Sequence, residues 1–281
     1  MAEVTTPPRN WLNRLLRRGK TTIPVVRLHG VIAAEQRQGR LNIATVAPLL
    51  KRAFAIKSAP VVAIIINSPG GSPVQSRLIS KRIRDLADEH DKKVLVFVED
   101  AAASGGYFIA VAGDEIIVDP SSIVGSIGVI MAGFGFVGAL EKLGIERRVH
   151  TAGNNKSTLD PFLPEKQTDI ERIKQFELDI HQVFIDVVKT RRAGKLKAPD
   201  DQLFTGEWWT GIRGVELGLV DALGDMHEVL RTRYGKDIDL KIIAPKRPFF
   251  GLPRIGFSMA GLGGELSATI EDRAAWARLG L

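Results

Sequence analysis

Val61 to Asn67, VVAIIIN, is apolar at both alternating sets of positions, the pattern of a strand covered on both faces within a parallel sheet. Ile23 to Ala33 and Val94 to Asp100 (VLVFVED) read as strands of the same kind, and Glu115 to Asp119 (EIIVD) as a shorter one. Between them the period lengthens. Asn42 to Ala55 reads as a helix. A second helix starts where Ser72 offers an N-cap and Pro73 takes the first helical position, with Leu78, Ile79, Ile83 and Leu86 along its apolar face. This alternation predicts an α/β fold with a mostly parallel sheet.

A long helix is predicted from near Pro164, because Ile170, Ile173, Phe176, Ile180, Val183, Phe184, Val187 and Val188 recur at intervals of three and four. Such a stripe suits a core helix or a packing element between subunits. Thr205 to Leu230 reads as a turn, a short helix, a strand-like GLVD and another helix. Pro120 to Leu140 has no charge over 21 residues, about the length that crosses a bilayer. Its five glycines, three serines and one proline, directly after EIIVD, indicate instead a buried strand with glycine turns. Beyond Ala244 prolines and glycines are too frequent for regular structure. The chain thus divides into a basic amphipathic N-terminal tail (1–21), a single folded domain (22–244) and a Pro/Gly-rich basic tail (245–281).

Composition narrows the chemistry. With 44% hydrophobic and 25% charged residues over 281 positions, the chain can bury a core and is not intrinsically disordered. The absence of cysteine excludes disulfides, thiolate metal sites and a cysteine nucleophile. Five histidines stand apart without metal-ligand spacing, so neither a metal nor another cofactor is expected. The net charge of +7 divides into +4 in residues 1–20 and +2 in 245–281, leaving +1 for the domain, too little for a nucleic-acid face. Arginines around Trp11, Leu12, Leu15 and Leu16 suit peripheral contact with an anionic membrane surface. The apolar run at the N-terminus falls short of the roughly 7–15 residues of a secretory signal, so a cytoplasmic location is expected.

Two glycine turns after buried strands carry the candidate chemistry. In IIINSPGGSP, Gly70 and Gly71 expose backbone N–H groups at a strand's carboxyl end, where they can hold a developing oxyanion. In VEDAAASGGYFIA, Ser104 precedes Gly105 and Gly106 at the start of a helix, whose dipole and free N–H groups favour negative charge. That is the setting of a serine nucleophile, which needs a base. His150 is the first histidine after Ser104, and Lys156, in HTAGNNKSTLDPF, is the alternative. A lysine serves only if burial or a nearby charge keeps it neutral. Trp208 and Trp209 suit either a peptide groove or an edge anchored to the core.

NSPGG, ASGGYFIA, GSIGV, a lysine in AGNNK ahead of a proline-led helix, and WTGIRGVELGLVD, in that order, resemble the bacterial signal peptide peptidase A family, from about Ile23 to Leu230. These are Ser/Lys peptidases with a fold like that of the Clp protease and the crotonases. The resemblance implies a crotonase/Clp protease-like superhelix of repeated β-β-α units. It implies Ser104 as nucleophile, Lys156 as general base, the backbone N–H groups of Gly71 and Gly105 as oxyanion hole, and Ser126 as the hydroxyl that orients the lysine. It further implies a serine endopeptidase acting on remnant signal peptides or other unfolded or membrane-derived peptides through an acyl-enzyme. A single copy of the motifs implies the short form, assembled into a ring-like homo-oligomer with Ser104 and Lys156 meeting across subunits. Peripheral contact with the inner membrane through the tails would fit such substrates. A crotonase-like acyl-CoA enzyme and a non-catalytic assembly protein of the same fold are the alternatives.

Overall fold

The structure is a computed structural model that describes residues 20–37, 39–153, 155–245 and 272–281. Its strands are β1 (Thr22–His29), β2 (Val31–Ile32), β3 (Arg40–Leu41), β4 (Val61–Ser68), β5 (Lys93–Ala103), β6 (Glu115–Val118), β7 (Ile123–Gly125), β8 (Trp208–Thr210), β9 (Ala222–Leu223) and β10 (Asp239–Ile242). The helices are α1 (Ile43–Phe54), α2 (Pro73–His90), α3 (Gly105–Ala110), α4 (Val137–Leu143), α5 (Gln167–Arg191), α6 (Asp200–Leu203), α7 (Gly211–Leu217) and α8 (Met226–Tyr234).

The main sheet runs in the order β10-β1-β4-β5-β6-β9, every pair parallel. Side chains along a strand alternate between faces. Val62, Ile64 and Ile66 of β4 therefore join Val94 and Val96 of β5 under α1, α2 and α3. Val61, Ala63 and Ile65 turn the other way, with Leu95 and Phe97, towards Leu230 of α8. The continuous apolar run of β4 reflects cover on both faces. Burying each such side chain contributes about 1.5–3 kcal/mol.

One feature of β5 sets up the site. Leu95 to Val98 pair with β6, but Ala101 to Ala103 pair with β7, so the strand changes neighbour along its length. The register with β4 shifts between Ile66 and Ser68. There the Asn67 side chain accepts from Ala101 N and donates to the Asp100 carboxylate. The ends of β4 and β5 are thereby held side by side, with the Gly70–Gly71 turn next to Ser104.

Several expected elements differ in extent. The strand Ile23 to Ala33 breaks at Gly30, whose φ of +112° leaves room for Gly39 O where a Cβ would lie at 2.0 Å. Of Pro120 to Leu140, the buried part ends at Ile127, and α4 buries no residue. The cause is local: Ser126 adopts φ +52°, and its N–H donates to Glu207 O, which turns the chain off the sheet. The strand-like GLVD is instead the turn that follows α7, with Gly218 as left-handed cap, and β9 begins after Asp221. In α5 only Phe184 and Val188 of the apolar stripe are buried, so its first half is not a core helix.

The N-terminal tail through residue 19 lies outside the described residues, as does 246–271. The last ten residues of the expected irregular tail are ordered. Residues 272–277 are helical, Asp272 pairs with Arg40 at 3.1 Å, and Trp276 stacks on His29 at 6.1 Å between ring centroids. Leu279 packs with Ala101, Ala103 and Ile123. Among the described residues no helix is long and apolar enough to cross a membrane.

Candidate active site

Ser104 sits between the end of β5 and the first turn of α3, with φ +50° and ψ −119°. A non-glycine residue there costs on the order of 1–3 kcal/mol, and such strain gathers at functional sites when the surroundings enforce it. Here they do. Ser104 N donates to Gly125 O at 2.8 Å, and Ser104 O accepts from Phe108 N at 2.9 Å. Small neighbours make the sharp turn possible: a Cβ on Gly106 would lie 2.7 Å from Ser68 O, and one on Gly105 would lie 2.4 Å from Ser76 Oγ. A strand-to-helix turn of this kind presents a serine hydroxyl at the top of a sheet.

The Gly70–Gly71 turn comes up against it. A Cβ on Gly70 would lie 2.8 Å from the Ser104 Cβ, and one on Gly105 would lie 3.3 Å from Gly71 N. Gly71 forms a parallel bridge with Ile32, in which Ile32 N donates to Gly70 O (2.8 Å) and Ser72 N to Ile32 O (2.7 Å). A parallel bridge uses the groups on either side of the bridged residue. The N–H of Gly71 therefore faces away from Ile32, and its nitrogen lies close to Gly105. Gly105 opens α3, where N–H groups lack intrahelical partners. Gly71 N and Gly105 thus lie beside one serine, where backbone N–H groups can hold an oxyanion.

Two cavities meet at Ser104. A cleft of about 630 Å³ is lined by Pro69 to Pro73, Ser104, Ser126, Gly128 to Ile130, Gly206 and Trp208, and is closed on one side by Ala275, Arg278 and Leu279. A second cavity of about 310 Å³ is walled by Val74, Phe108, Val129, Ile180, Val183 and Phe184. The first suits an extended chain with polar backbone, the second an apolar side chain.

Of the sequence-derived residues, Ser104, Gly71, Gly105 and Ser126 are gathered here. Lys156 is not: it is exposed, its N–H bonds Gly153 O at 3.2 Å, and it lines neither cavity. His150 is exposed and equally absent from both linings. The two tryptophans divide the roles considered for them. Trp208 lines the cleft, while Trp209 packs on the core and fills the space that Gly125 leaves open. Sequence reasoning missed Arg278 and Leu279, because nothing in a Pro/Gly-rich tail indicates that its end returns to the cleft.

Buried polar groups tie α3 and β6 to the turn after α7. The Tyr107 hydroxyl, fully buried, donates to Leu219 O at 2.6 Å, and burial pushes its pKa up. Burial also pushes the Asp221 carboxyl up. Hydrogen bonds from Arg192 and Lys195, the Arg192 charge and the Ile116 N–H outweigh that and hold it below the usual carboxylate range.

Residues 87–238, more than half of the chain, match the family model described as Peptidase family S49. The chain belongs to peptidase family S49. Similarity to curated proteins extends beyond the matched segment. A protein of Brucella abortus named Na(+)/H(+) antiporter NhaA is 58% identical over 95% of this chain, which spans 38% of that protein. Protease 4 of Haemophilus influenzae is 32% identical over 74% of this chain, which spans 34% of that protein. The S49 chain is thus similar to under half the length of either relative. Two solved mutants of the 1510-N membrane-bound stomatin-specific protease, one in complex with a substrate peptide, superpose with TM-scores of 0.50 and 0.51 at 16% and 15% identity. Each covers 81% of this chain, and they support the Clp/crotonase-like fold expected from the sequence.

Proposed function

We propose that this S49 domain is a serine endopeptidase in which Ser104 is the nucleophile and Lys156 of a second copy is the general base. The observation that carries the proposal is the strained Ser104 turn with Gly71 N and Gly105 packed beside it. In the reaction, Ser104 Oγ attacks a peptide carbonyl as Lys156 Nζ takes its proton, and the two N–H groups hold the oxyanion. The lysine returns the proton to the leaving amine, and the acyl-enzyme remains. Lys156 then takes a proton from water, which attacks the ester, and Ser104 is restored. Ser126, in the cleft wall, is the hydroxyl that orients the amine.

A base supplied by another copy accounts for the exposed position of Lys156. A lysine acts as a base only when desolvation keeps its amine neutral, which burial under a neighbour provides. The preceding segment exposes apolar side chains, Phe134 at 83% together with Ile130, Leu143 and Ile145, which suits cover by a neighbouring copy. A ring-like homo-oligomer whose arms reach the next cleft follows. Its substrates are extended peptides carrying an apolar residue for the smaller cavity, such as unfolded or membrane-derived segments and remnant signal peptides. A cytoplasmic position with the tails at the inner membrane face suits that supply.

The test is cleavage of an unfolded protein and of a leucine- or alanine-rich peptide by the wild type, Ser104→Ala, Lys156→Ala and an equimolar mixture of the two variants, with oligomeric state recorded. Each variant alone is expected to be inactive, and the mixture to regain part of the activity through mixed interfaces. Undiminished cleavage by either variant would reject the dyad. A well-assembled wild type without peptidase activity would favour the acyl-CoA or assembly alternatives.

A further inference from the structure

We propose that His181 and Glu177 of α5 are positioning residues that clamp the wall shared by the two cavities and thereby set how tightly a peptide is held. The inference rests on the peptidase reading for its consequence, though not for the clamp itself. The wall is the segment from Ser126 to Met131. Gly128 and Val129 line both cavities, and Ile130 lines the cleft. His181 Nε2 lies 3.0 Å from Ile127 O and, when it carries the ring proton, donates to it. Met131 N donates to Glu177 Oε1 at 2.8 Å. Residues four apart share one helix face, so a single face of α5 grips the segment on either side of Gly128 to Ile130.

Packing fixes this segment only as far as Ile127, whose side chain is buried in the core. A third cavity of about 250 Å³, lined by Val129, Lys174, Glu177, Leu178 and His181, lies outside it. Val129 therefore has open space on both sides, and Ile130 and Met131 are exposed. Val129, next to Gly128 and with a cavity on each side, is held by the polar anchors at Ile127 and Met131. The same stretch of α5 supplies Ile180, Val183 and Phe184 to the apolar cavity. Ser126 is anchored separately, through its N–H to Glu207 O at 2.6 Å. Loosening the clamp thus disturbs peptide binding while the groups around Ser104 stay in place.

His181→Leu removes the donor and leaves a carbonyl without its partner, so KM for an apolar peptide is expected to rise about tenfold while kcat changes less than about twofold. His181→Gln, whose amide N–H reaches the same carbonyl, is expected to restore most of the KM. Glu177→Gln keeps the acceptor and is expected to be near wild type, whereas Glu177→Leu is expected to raise KM. Independently of any activity, hydrogen exchange at residues 127–131 is expected to quicken in His181→Leu while the β4 and β5 amides are unchanged. Unchanged exchange at 127–131, a loss confined to kcat, or no rescue by His181→Gln would overturn the clamp. A wild type that cleaves nothing would reject the peptidase reading, and the exchange experiment would still decide the clamp.

Discussion

Gly71→Ala tests whether the site depends on the turn that bridges to Ile32. A Cβ there would lie 2.0 Å from Ile32 O and 2.9 Å from Ile32 C, both backbone atoms, at a φ of +136°. The backbone has to move by more than 1 Å to reach ordinary contact. That displacement breaks the hydrogen bonds of 2.8 and 2.7 Å to Ile32, about 1 kcal/mol each. The disfavoured φ adds about 1–2 kcal/mol, so about 3–4 kcal/mol of stability is lost. The Gly71 N–H leaves the oxyanion position, which is worth about 10²–10³ in kcat. Gly235→Ala is the matched control. Gly235 has φ +99° with nothing within 4 Å of its would-be Cβ, so only the backbone term of about 1–2 kcal/mol applies and activity is unchanged. The assays are urea unfolding and kcat on a peptide for both variants. Equal destabilisation, or full kcat in Gly71→Ala, would refute the geometry argued for the turn.

Other expectations are more compact. The depressed pKa of Asp221 means that its contribution to stability is fully present above the unfolded carboxylate value, about 4, and is lost as pH falls through its lower folded value. Asp221→Asn should therefore flatten the acid limb of stability against pH, and should cost about 3–5 kcal/mol at pH 7 by leaving the buried Arg192 without its carboxylate; an unaltered acid limb in urea titrations from pH 7 to 3 would contradict this. Val183→Trp fills part of the apolar cavity from a half-exposed position. It should shift cleavage from leucine to alanine at the bond by about tenfold in kcat/KM ratio, and an unshifted ratio in a paired-peptide assay would show that this cavity does not hold the side chain. Removal of residues 1–20 should reduce pelleting with anionic liposomes, and equal pelleting would remove membrane contact from that tail.

The strands β1, β4, β5 and β6, the helix α1, the cap of α2, and the placement of Ser104 and Gly71 at strand ends were legible in sequence. In each case a local rule and burial agree: two-faced apolar runs demand cover on both sides, Ser72 and Pro73 satisfy a helix start, and glycine admits the backbone that the turns need. Where burial stops, the same rules overreach. The uncharged run from Pro120 reads as core throughout, but the chain leaves the sheet after Ile127, and the stripe on α5 reads as core although Phe176 and Val183 stay open. Periodicity records that a face is apolar, not what covers it. Only tertiary structure decided that β5 changes neighbour between β6 and β7, which turns Ser104 towards Gly71. It also decided that α5 bonds Ile127 and Met131 across more than forty residues, that the chain's last residues return to the cleft, and that Lys156 stays away from Ser104 within one chain. These are long-range pairings fixed by the total packing free energy of the chain, and no short stretch of sequence carries that sum.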